Sequence, residues 1–246
     1  MQRYGLIGKK LGHSFSKRYF TEKFVREGIA QATYELYELP TIAELPHLLQ
    51  QVPELVGLNV TVPYKEEVIP FLHDLDAAAA RIGAVNTISI VAGRTIGYNT
   101  DYAGFKSSLE EFYPMATQRG SALVLGNGGA AKAVCAALHD LNINYTILSR
   151  SPKSGELPYA ELTPALLQQH QLIINTTPLG MYPDVESCPQ IPYEAISAQH
   201  YLYDLVYNPE QTLFLQKGRA AGAHTRNGLA MLYGQAEAAW QIWQNR

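Results

Sequence analysis

The segment "SALVLGNGGAAKAVCAALHDLNINYTILSRS", residues 121–151, has the composition of a strand, a tight turn, a helix and a second strand. A short apolar run leads into glycines, an alanine-rich helical stretch follows, and a second apolar run ends at "LSRS". This order is typical of the first βαβ unit of a dinucleotide-binding domain. The sequence therefore predicts a Rossmann-type, doubly wound domain in this part of the chain.

The glycine turn follows the pattern G-x-G-x-x-A, with Gly126, Gly128 and Ala131 in the three marked places. Glycines at such a turn let backbone amides approach a pyrophosphate, and the N-terminus of the following helix adds a favourable dipole. Glycines between a strand and a helix can also serve only to pack the two elements together. The strands on both sides of the turn favour the nucleotide interpretation.

The end of the second strand indicates which dinucleotide is bound. Arg150 stands where an NAD-type site carries an acidic residue, and Ser149, Ser151 and Lys153 lie nearby in sequence. An acid would bond the ribose 2′-hydroxyl and repel a 2′-phosphate, whereas arginine and hydroxyl groups attract that phosphate. The sequence therefore predicts NADP rather than NAD, and the alternative is a solvated basic turn.

Composition narrows the class of protein. The 246 residues are 47% hydrophobic, which suits one or two domains with a substantial core. The net charge of −3 and the lack of a Lys/Arg run argue against nucleic acid or an anionic membrane as partner. Cys135 and Cys188 form neither a disulfide framework nor a metal-ligand spacing, and no signal core or long apolar run occurs. We therefore expect a cytoplasmic protein that acts on a small molecule.

Short apolar runs alternate with amphipathic stretches along the chain, which predicts an α/β fold with largely parallel sheets. The predicted strands of the first part are "RYGLIG", "TYELYEL" and "LVGLNVTV". The stretch "SKRYFTEKFVREGI" predicts a helix capped by Ser16, and Gly83 is expected to end a later helix.

Polar side chains of the first part of the chain gather where predicted strands end. They are Ser14, Ser16, Asn59, Thr61, Lys65, Asn86 and Asp101. Each has a local alternative: Ser16 or Asp101 could only cap a helix, and Lys65 could be a solvated residue of a short helix. Together they predict a pocket of hydroxyl, amide and ionic groups for a small polyhydroxylated carboxylic acid.

A series of ordered blocks runs over nearly the whole chain: "GHSFS", "NVTVPYK", "GAVNT", "GYNTD", "GNGGAAKA", "SRS", "NTTPLGM", "DLVYNP" and "NGLAMLYGQ". Together these blocks resemble the shikimate dehydrogenase family of aromatic amino-acid biosynthesis. Two departures are that Asn127 stands where the family usually has alanine, and "SRS" where it usually has N-R-T.

The resemblance implies roles for particular residues. Ser14 and Ser16 would hold the substrate carboxylate. Lys65 and Asp101 would be the catalytic pair, and no metal is expected. The further substrate ligands that it implies are Asn59, Thr61, Asn86, Tyr207 and Gln235. The cofactor-binding residues that it implies are Gly126, Asn127, Gly128, Gly129, Ala130, Ser149, Arg150, Ser151, Asn175, Thr176, Gly228 and Met231.

The implied reaction is the NADP-dependent reversible reduction of 3-dehydroshikimate to shikimate. The cofactor handles the hydride, so the protein must handle the proton on the reacting oxygen. Lys65 is suited to hydrogen-bond that oxygen and take part in the proton step, while Asp101 orients the ammonium group.

Two other functions stay open on the residues alone. One is a quinate/shikimate dehydrogenase with broader substrate and cofactor use, although Arg150 weighs against NAD. The other is a nucleotide-sensing binding protein on the same fold, although such a protein would need neither Lys65 nor Asp101. A monomer or a homodimer is expected.

The order of the implied ligands predicts the domain organisation. Lys65 and Asp101 precede the nucleotide unit, whereas Gln235 follows it. We therefore predict a substrate-binding domain at 1–103, completed by 227–246, and an NADP-binding Rossmann domain at 104–226. The final helix, which carries apolar residues at helical spacing up to Trp243, is expected to return to the first domain.

Overall fold

A computed structural model describes residues 1–12, 14–114 and 120–245. The chain divides into two compact units, Met1–Thr100 with Ala236–Arg246, and Asp101–Gln235. Each unit has its own β-sheet, and the last part of the final helix is counted with the first unit. The predicted fold class, an α/β protein of two domains with a returning C-terminal helix, is confirmed. The division falls after residues 100 and 235, whereas the sequence placed the second domain at 104–226.

The first unit contains a mixed sheet. Its strands are β1 Gln2–Gly8, β2 Ala32–Glu38, β3 Leu55–Val60, β4 Asp74–Leu75, β5 Thr87–Val91 and β6 Arg94–Tyr98. Its helices are α1 Phe15–Arg26, α2 Leu45–Gln51, α3 Tyr64–Glu67 and α4 Ala77–Ile82. The strand order is β2-β1-β3-β5-β6-β4, in which β1 runs parallel to β2 and β3 while β5 runs antiparallel to β3 and β6. Gly83 ends α4 in the left-handed conformation, as predicted.

The start of α1 differs from the prediction. Ser14, not Ser16, is the N-cap: its side-chain oxygen accepts the backbone N–H of Lys17 at 3.3 Å. Ser16 lies in the first turn of the helix instead. Both serines fit a capping pattern in the sequence, and only the extended backbone at Ser14 distinguishes them.

The core of the first unit lies on both faces of its sheet. Tyr4 and Phe20 belong to a cluster on one face, and Ile7 and Leu58 belong to a cluster on the other. Trp243, near the end of the final helix, is fully buried in the first of these clusters. Its indole N–H donates to the backbone carbonyl of Ile88 at 3.0 Å, so the returning helix is joined to strand β5.

The second unit contains a parallel sheet. Its strands are β7 Ala122–Leu125, β8 Tyr145–Ser149, β9 Leu157–Pro158, β10 Leu172–Asn175, β11 Tyr201–Asp204 and β12 His224–Arg226. The helices that follow the first unit along the chain are α5 Thr100–Phe112, α6 Gly129–Asp140, α7 Pro164–Leu167, α8 Leu213–Ala220 and α9 Leu229–Gln244. The strand order is β12-β11-β10-β7-β8-β9, with every pair parallel. This is the doubly wound arrangement, and the chain reverses its direction of winding at β7.

Strand β7 shows why this sheet is buried on both sides. Ala122 and Val124 belong to the hydrophobic cluster on one face, and Leu123 and Leu125 belong to the cluster on the other. Alternate side chains of a strand point to opposite faces, so an uninterrupted apolar run fills two layers at once. Within the described ranges, every helix is too short or too polar to cross a membrane.

Candidate active site

A cavity of about 580 Å³ lies in the second unit, where the glycine turn follows strand β7. This is the topological switch point of the sheet, the usual place for a nucleotide in a doubly wound fold. Its lining residues are Gly126, Asn127, Gly128, Ser149, Arg150, Ser151, Tyr159, Thr176, Thr177, Pro178, Leu179 and Gln190. The glycine turn and the end of strand β8 therefore meet in one cavity.

The glycine turn has the geometry of a phosphate site. Gly126 has φ of +108°, which favours glycine, and a Cβ there would lie 2.8 Å from the Thr176 hydroxyl. Helix α6 begins directly after Gly128, and no described side chain caps it. Its first amide groups are therefore available to an anion such as a pyrophosphate.

The loop after β8 is connected to the glycine turn through Asn127. The Asn127 amide donates to the Ser151 carbonyl at 3.2 Å and to the Glu156 carboxylate at 2.8 Å. The same carboxylate oxygen accepts the Lys153 backbone N–H at 2.9 Å. The residue that replaces the family's usual alanine thus connects the turn to the predicted 2′-phosphate loop, in which Arg150 is exposed.

A buried carboxylate supports the loop that follows β10. Asp204 accepts hydrogen bonds from the Asn175 amide at 2.9 Å and the Thr212 hydroxyl at 2.5 Å. The oxygen of Asn175 in turn accepts the backbone N–H and the hydroxyl of Thr177, at 3.0 and 2.6 Å. Asp204 therefore sets the orientation of the Asn175 amide, and that amide positions Thr177 in the cavity wall.

Burial raises the pKa of Asp204 from 3.8 to about 6, although its hydrogen bonds from Thr212, the Val206 amide and Asn175 act in the opposite direction. Between about pH 4 and pH 6, Asp204 is therefore protonated in the folded protein and ionised in the unfolded chain. The contribution of Asp204 to the free energy of unfolding is largest below pH 4 and is lost as the pH rises through about 6.

We expect a carbon-13 NMR titration of the Asp204 carboxyl group to show a midpoint near pH 6. The resonance is assigned by its loss in Asp204→Asn. A midpoint below pH 4 would mean that the three hydrogen bonds outweigh burial.

Not every predicted cofactor residue lines this cavity. Those outside the lining are Gly129, Ala130, Asn175, Gly228 and Met231. Asn175 is fully buried and acts on the wall through Thr177. Gly228 packs against Leu205, where a Cβ would strike the carbonyl oxygen, and Met231 belongs to a core cluster of the second unit.

The lining also includes residues that the sequence analysis did not select. They are Tyr159, Thr177, Pro178, Leu179 and Gln190. Three of these belong to the block "NTTPLGM", so extending the prediction along that block would have found them. Tyr159 and Gln190 carry no local signal: Tyr159 directly follows the two-residue strand β9, and Gln190 lies in the irregular segment after β10.

The first unit carries the predicted carboxylate site at the start of α1. The Ser14 oxygen is used as a cap acceptor, which leaves its O–H free to donate. Ser16 lies two residues further along and is half-buried. Two hydroxyl groups beside a helix N-terminus suit a carboxylate, since the helix dipole favours negative charge there.

Asn86 and Asn59 lie close together but have different hydrogen-bonding states. The Asn86 oxygen accepts the backbone N–H of Thr100 at 2.7 Å, while its NH₂ group has no recorded partner among the described residues. Both N–H groups of Asn59 are used, toward the Asn86 carbonyl at 3.3 Å and the Thr87 hydroxyl at 3.1 Å. Asn86 can therefore donate to a ligand. Asn59 was also expected to be a ligand, but both of its N–H groups already donate within the protein.

The segment that carries Lys65 has a fixed backbone. Thr61 donates its N–H to the carbonyl of Ile7 at 3.0 Å, directly after strand β3. The Lys65 carbonyl accepts the N–H of Val85 at 2.7 Å, and the residue itself lies in helix α3. The half-buried lysine thus follows the end of strand β3 closely.

Asp101 follows Thr100 in the first turn of helix α5 and is 8% exposed. Thr100 is the last residue counted with the first unit, and Asp101 is the first counted with the second. The hydrogen bond from Thr100 to Asn86 therefore fixes the start of the helix one residue before the aspartate. Tyr207, after strand β11, and Gln235, in helix α9, belong to the second unit.

Comparisons with known proteins agree along the whole chain. Residues 6–88 match the family model described as the shikimate dehydrogenase substrate binding domain. A shikimate dehydrogenase (NADP(+)) of Clostridium beijerinckii is 38% identical, over 99% of this chain and 92% of its own length.

Solved structures show the same similarity. A chorismate mutase/shikimate 5-dehydrogenase fusion protein from Clostridium acetobutylicum has a TM-score of 0.89 at 37% identity, covering 99% of this chain and 91% of that one. A shikimate 5-dehydrogenase from Thermus thermophilus, in complex with NADP(H) and shikimate, has a TM-score of 0.88 at 31% identity, covering 100% and 94%.

Proposed function

The chain belongs to the shikimate dehydrogenase family, and from that membership we propose that it catalyses the NADP-dependent reversible reduction of 3-dehydroshikimate to shikimate. We assign substrate binding to residues 1–103 with 227–246 and NADP binding to 104–226. The observation that carries the proposal is the cavity in which the glycine turn, the open start of α6 and the Arg150 loop meet. These groups fit a dinucleotide with a 2′-phosphate.

The fit to NADP depends on residues of the second unit. The glycine turn at Gly126 and Gly128 would hold the pyrophosphate with backbone amides. Arg150, Ser149 and Ser151 would bind the 2′-phosphate. When bound, NADP supplies or accepts the hydride.

Residues of the first part of the chain would bind and activate the substrate. Ser14 and Ser16 hold the carboxylate at the start of α1, and Asn86 donates its amide to a ring hydroxyl. Thr61 is a further ligand at the end of β3. Serine hydroxyls bind a carboxylate without placing a second full charge in the site.

Lys65 and Asp101 carry the proton chemistry in this proposal. During reduction the Lys65 ammonium hydrogen-bonds the ketone oxygen, polarises the carbonyl and donates a proton to that oxygen; during oxidation the neutral Lys65 amine takes up the alcohol proton. Asp101 orients the ammonium and accepts a hydrogen bond from a neighbouring hydroxyl. Tyr207 and Gln235 are assigned as the remaining substrate ligands.

Steady-state assays with shikimate and quinate, each with NADP and NAD, test the proposed activity. We expect the highest kcat/KM with shikimate and NADP. A higher kcat/KM with quinate than with shikimate would mean that quinate is the preferred substrate. Binding of NADP without turnover of either acid would favour the nucleotide-sensing alternative.

Arg150→Ala is expected to weaken NADP binding by roughly tenfold or more, because a charge-assisted hydrogen bond contributes about 1.5–3 kcal/mol. NAD binding should change little, since NAD lacks the 2′-phosphate. Fluorescence titration of each cofactor and the two Michaelis constants measure the effect. Arg219→Ala, at an exposed position of α8, is the matched control.

The two cofactors distinguish a ligand from a structural residue at this position. Equal weakening of NADP and NAD would mean that Arg150 only supports the loop. In that case the 2′-phosphate assignment would pass to the hydroxyls of Ser149 and Ser151.

A cytoplasmic location and a monomeric or homodimeric state complete the proposal. Cys135 and Cys188 are both free, buried thiols, as expected in a reducing compartment. Light scattering coupled to gel filtration tests the oligomeric state, and a mass above that of a dimer would contradict it.

A further inference from the structure

We infer that Tyr34, acting through Asn59 and Thr87, is a positioning residue for the substrate: it sets the orientation of the Asn86 amide without touching the substrate itself. This inference rests on the proposed function, which assigns Asn86 as a ligand. Tyr34 lies on strand β2, outside every sequence block that pointed to the site.

The position of Tyr34 is fixed by packing and by hydrogen bonds. The residue is 2% exposed, and its ring stacks on Phe20 with centroids 4.7 Å apart. Its hydroxyl donates to the Asn59 oxygen at 2.7 Å. Burial raises the pKa of Tyr34, so the group stays a neutral donor. One hydroxyl thus joins strand β2 to strand β3.

Asn59 carries the connection from β3 to β5. With its oxygen facing Tyr34, its nitrogen must face the Asn86 carbonyl and the Thr87 hydroxyl, at 3.3 and 3.1 Å. The partners on both sides define which end of the amide is oxygen. The Asn59 side chain is 5% exposed, and its oxygen and both N–H groups are hydrogen-bonded within the protein. It therefore holds Tyr34 and Thr87 at a fixed separation.

Thr87 completes the connection to the ligand. Its hydroxyl lies 3.2 Å from the Asn86 oxygen and 3.1 Å from the Thr100 hydroxyl. The Asn86 oxygen also accepts the Thr100 N–H at 2.7 Å. With its oxygen held by these groups, the NH₂ group of Asn86 is the end left to meet a ligand. Tyr34 and Asn86 are therefore the two ends of one buried hydrogen-bonded series.

The tyrosine hydroxyl is the group on which this series depends. Phenylalanine would fill the same space and keep the ring stack, but it would leave the Asn59 oxygen without the Tyr34 hydroxyl as its donor. A buried polar group without a partner is costly, so the Asn59 amide would turn toward other partners and release Asn86. The expected loss is in substrate affinity, because neither cofactor binding nor proton transfer uses this hydroxyl.

Tyr34→Phe is expected to raise the KM and the directly measured Kd for shikimate about tenfold, equivalent to 1.4 kcal/mol. The Kd for NADP should stay unchanged, and kcat should change by less than about threefold. Tyr4→Phe is the matched control: Tyr4 is buried in the same cluster and its hydroxyl is also hydrogen-bonded, to Gln2 at 3.0 Å. If the two variants lose the same amount of melting temperature but only Tyr34→Phe binds shikimate more weakly, the role of Tyr34 is positioning and not stability.

A second pair of variants tests the middle of the series. Thr87→Val keeps the shape of the fully buried side chain and removes its hydroxyl, whereas Thr87→Ser keeps the hydroxyl. We expect Thr87→Val to raise the KM for shikimate and Thr87→Ser to restore it to near the wild-type value. A purely structural threonine would not show rescue by serine.

The outcomes separate this inference from the proposed function. If the wild-type protein turns over shikimate but Tyr34→Phe has the shikimate KM of Tyr4→Phe, the inference is overturned and the proposed function stands. If the KM for shikimate and the Kd for NADP rise together, the effect is general and the inference is overturned as well. A wild-type protein without activity on shikimate overturns both.

Discussion

Lys65→Ala is expected to lower kcat for shikimate oxidation by at least about a hundredfold, as for other losses of a general acid-base or polarising group. The proposed mechanism gives Lys65 the contact with the reacting oxygen, which strengthens during proton transfer, so the Kd for shikimate should change much less than kcat. Stopped-flow measurement of NADPH formation and equilibrium binding of shikimate separate the two quantities.

A loss of charge elsewhere in the same unit is the control for Lys65. Arg94→Ala removes an exposed arginine that pairs with Asp74 at 2.5 Å. Its kcat should match that of the wild-type protein, because exposed ion pairs contribute little. A kcat of Lys65→Ala within about threefold of wild type would return Lys65 to a solvated position in α3 and remove it from the mechanism.

Trp243→Ala is expected to lower the free energy of unfolding of the first unit by about 3–5 kcal/mol. The indole is fully buried, lies 4.9 Å from the Tyr4 ring, and leaves no room for a Cβ at Gly57. Its removal creates a cavity and deprives the Ile88 carbonyl of its donor. Urea unfolding followed by circular dichroism measures the loss.

The returning helix provides its own control for this prediction. Trp240→Ala removes a half-buried indole one turn earlier, so it should cost less than Trp243→Ala. Trp243→Phe should lie between the wild-type protein and Trp243→Ala, because it keeps one aromatic ring but loses the second ring of the indole and the hydrogen bond to β5. A loss below about 1 kcal/mol for Trp243→Ala would mean that the end of α9 does not stabilise the first unit.

The dinucleotide-type domain could be predicted because its signals are local. The apolar run of β7, the glycine turn at Gly126 and the start of α6 all lie within a few neighbouring residues. Arg150 could be selected for the same reason, since it ends the strand that follows. Tyr159 and Gln190 line the same cavity without such a signal, because nothing in their own segments distinguishes them from surface residues.

Residue type and spacing were enough to predict the alternation of the main strands and helices and the two-domain α/β class. They could not show which of two serines caps α1, that Asn59 is already hydrogen-bonded through both of its N–H groups, or that the short strands β4, β9 and β12 join the sheets. They also passed over Tyr34, which holds the Asn59 oxygen. Periodicity and turn chemistry act over a few residues along the chain, whereas the pairing of buried polar groups depends on the register of strands that are distant in sequence.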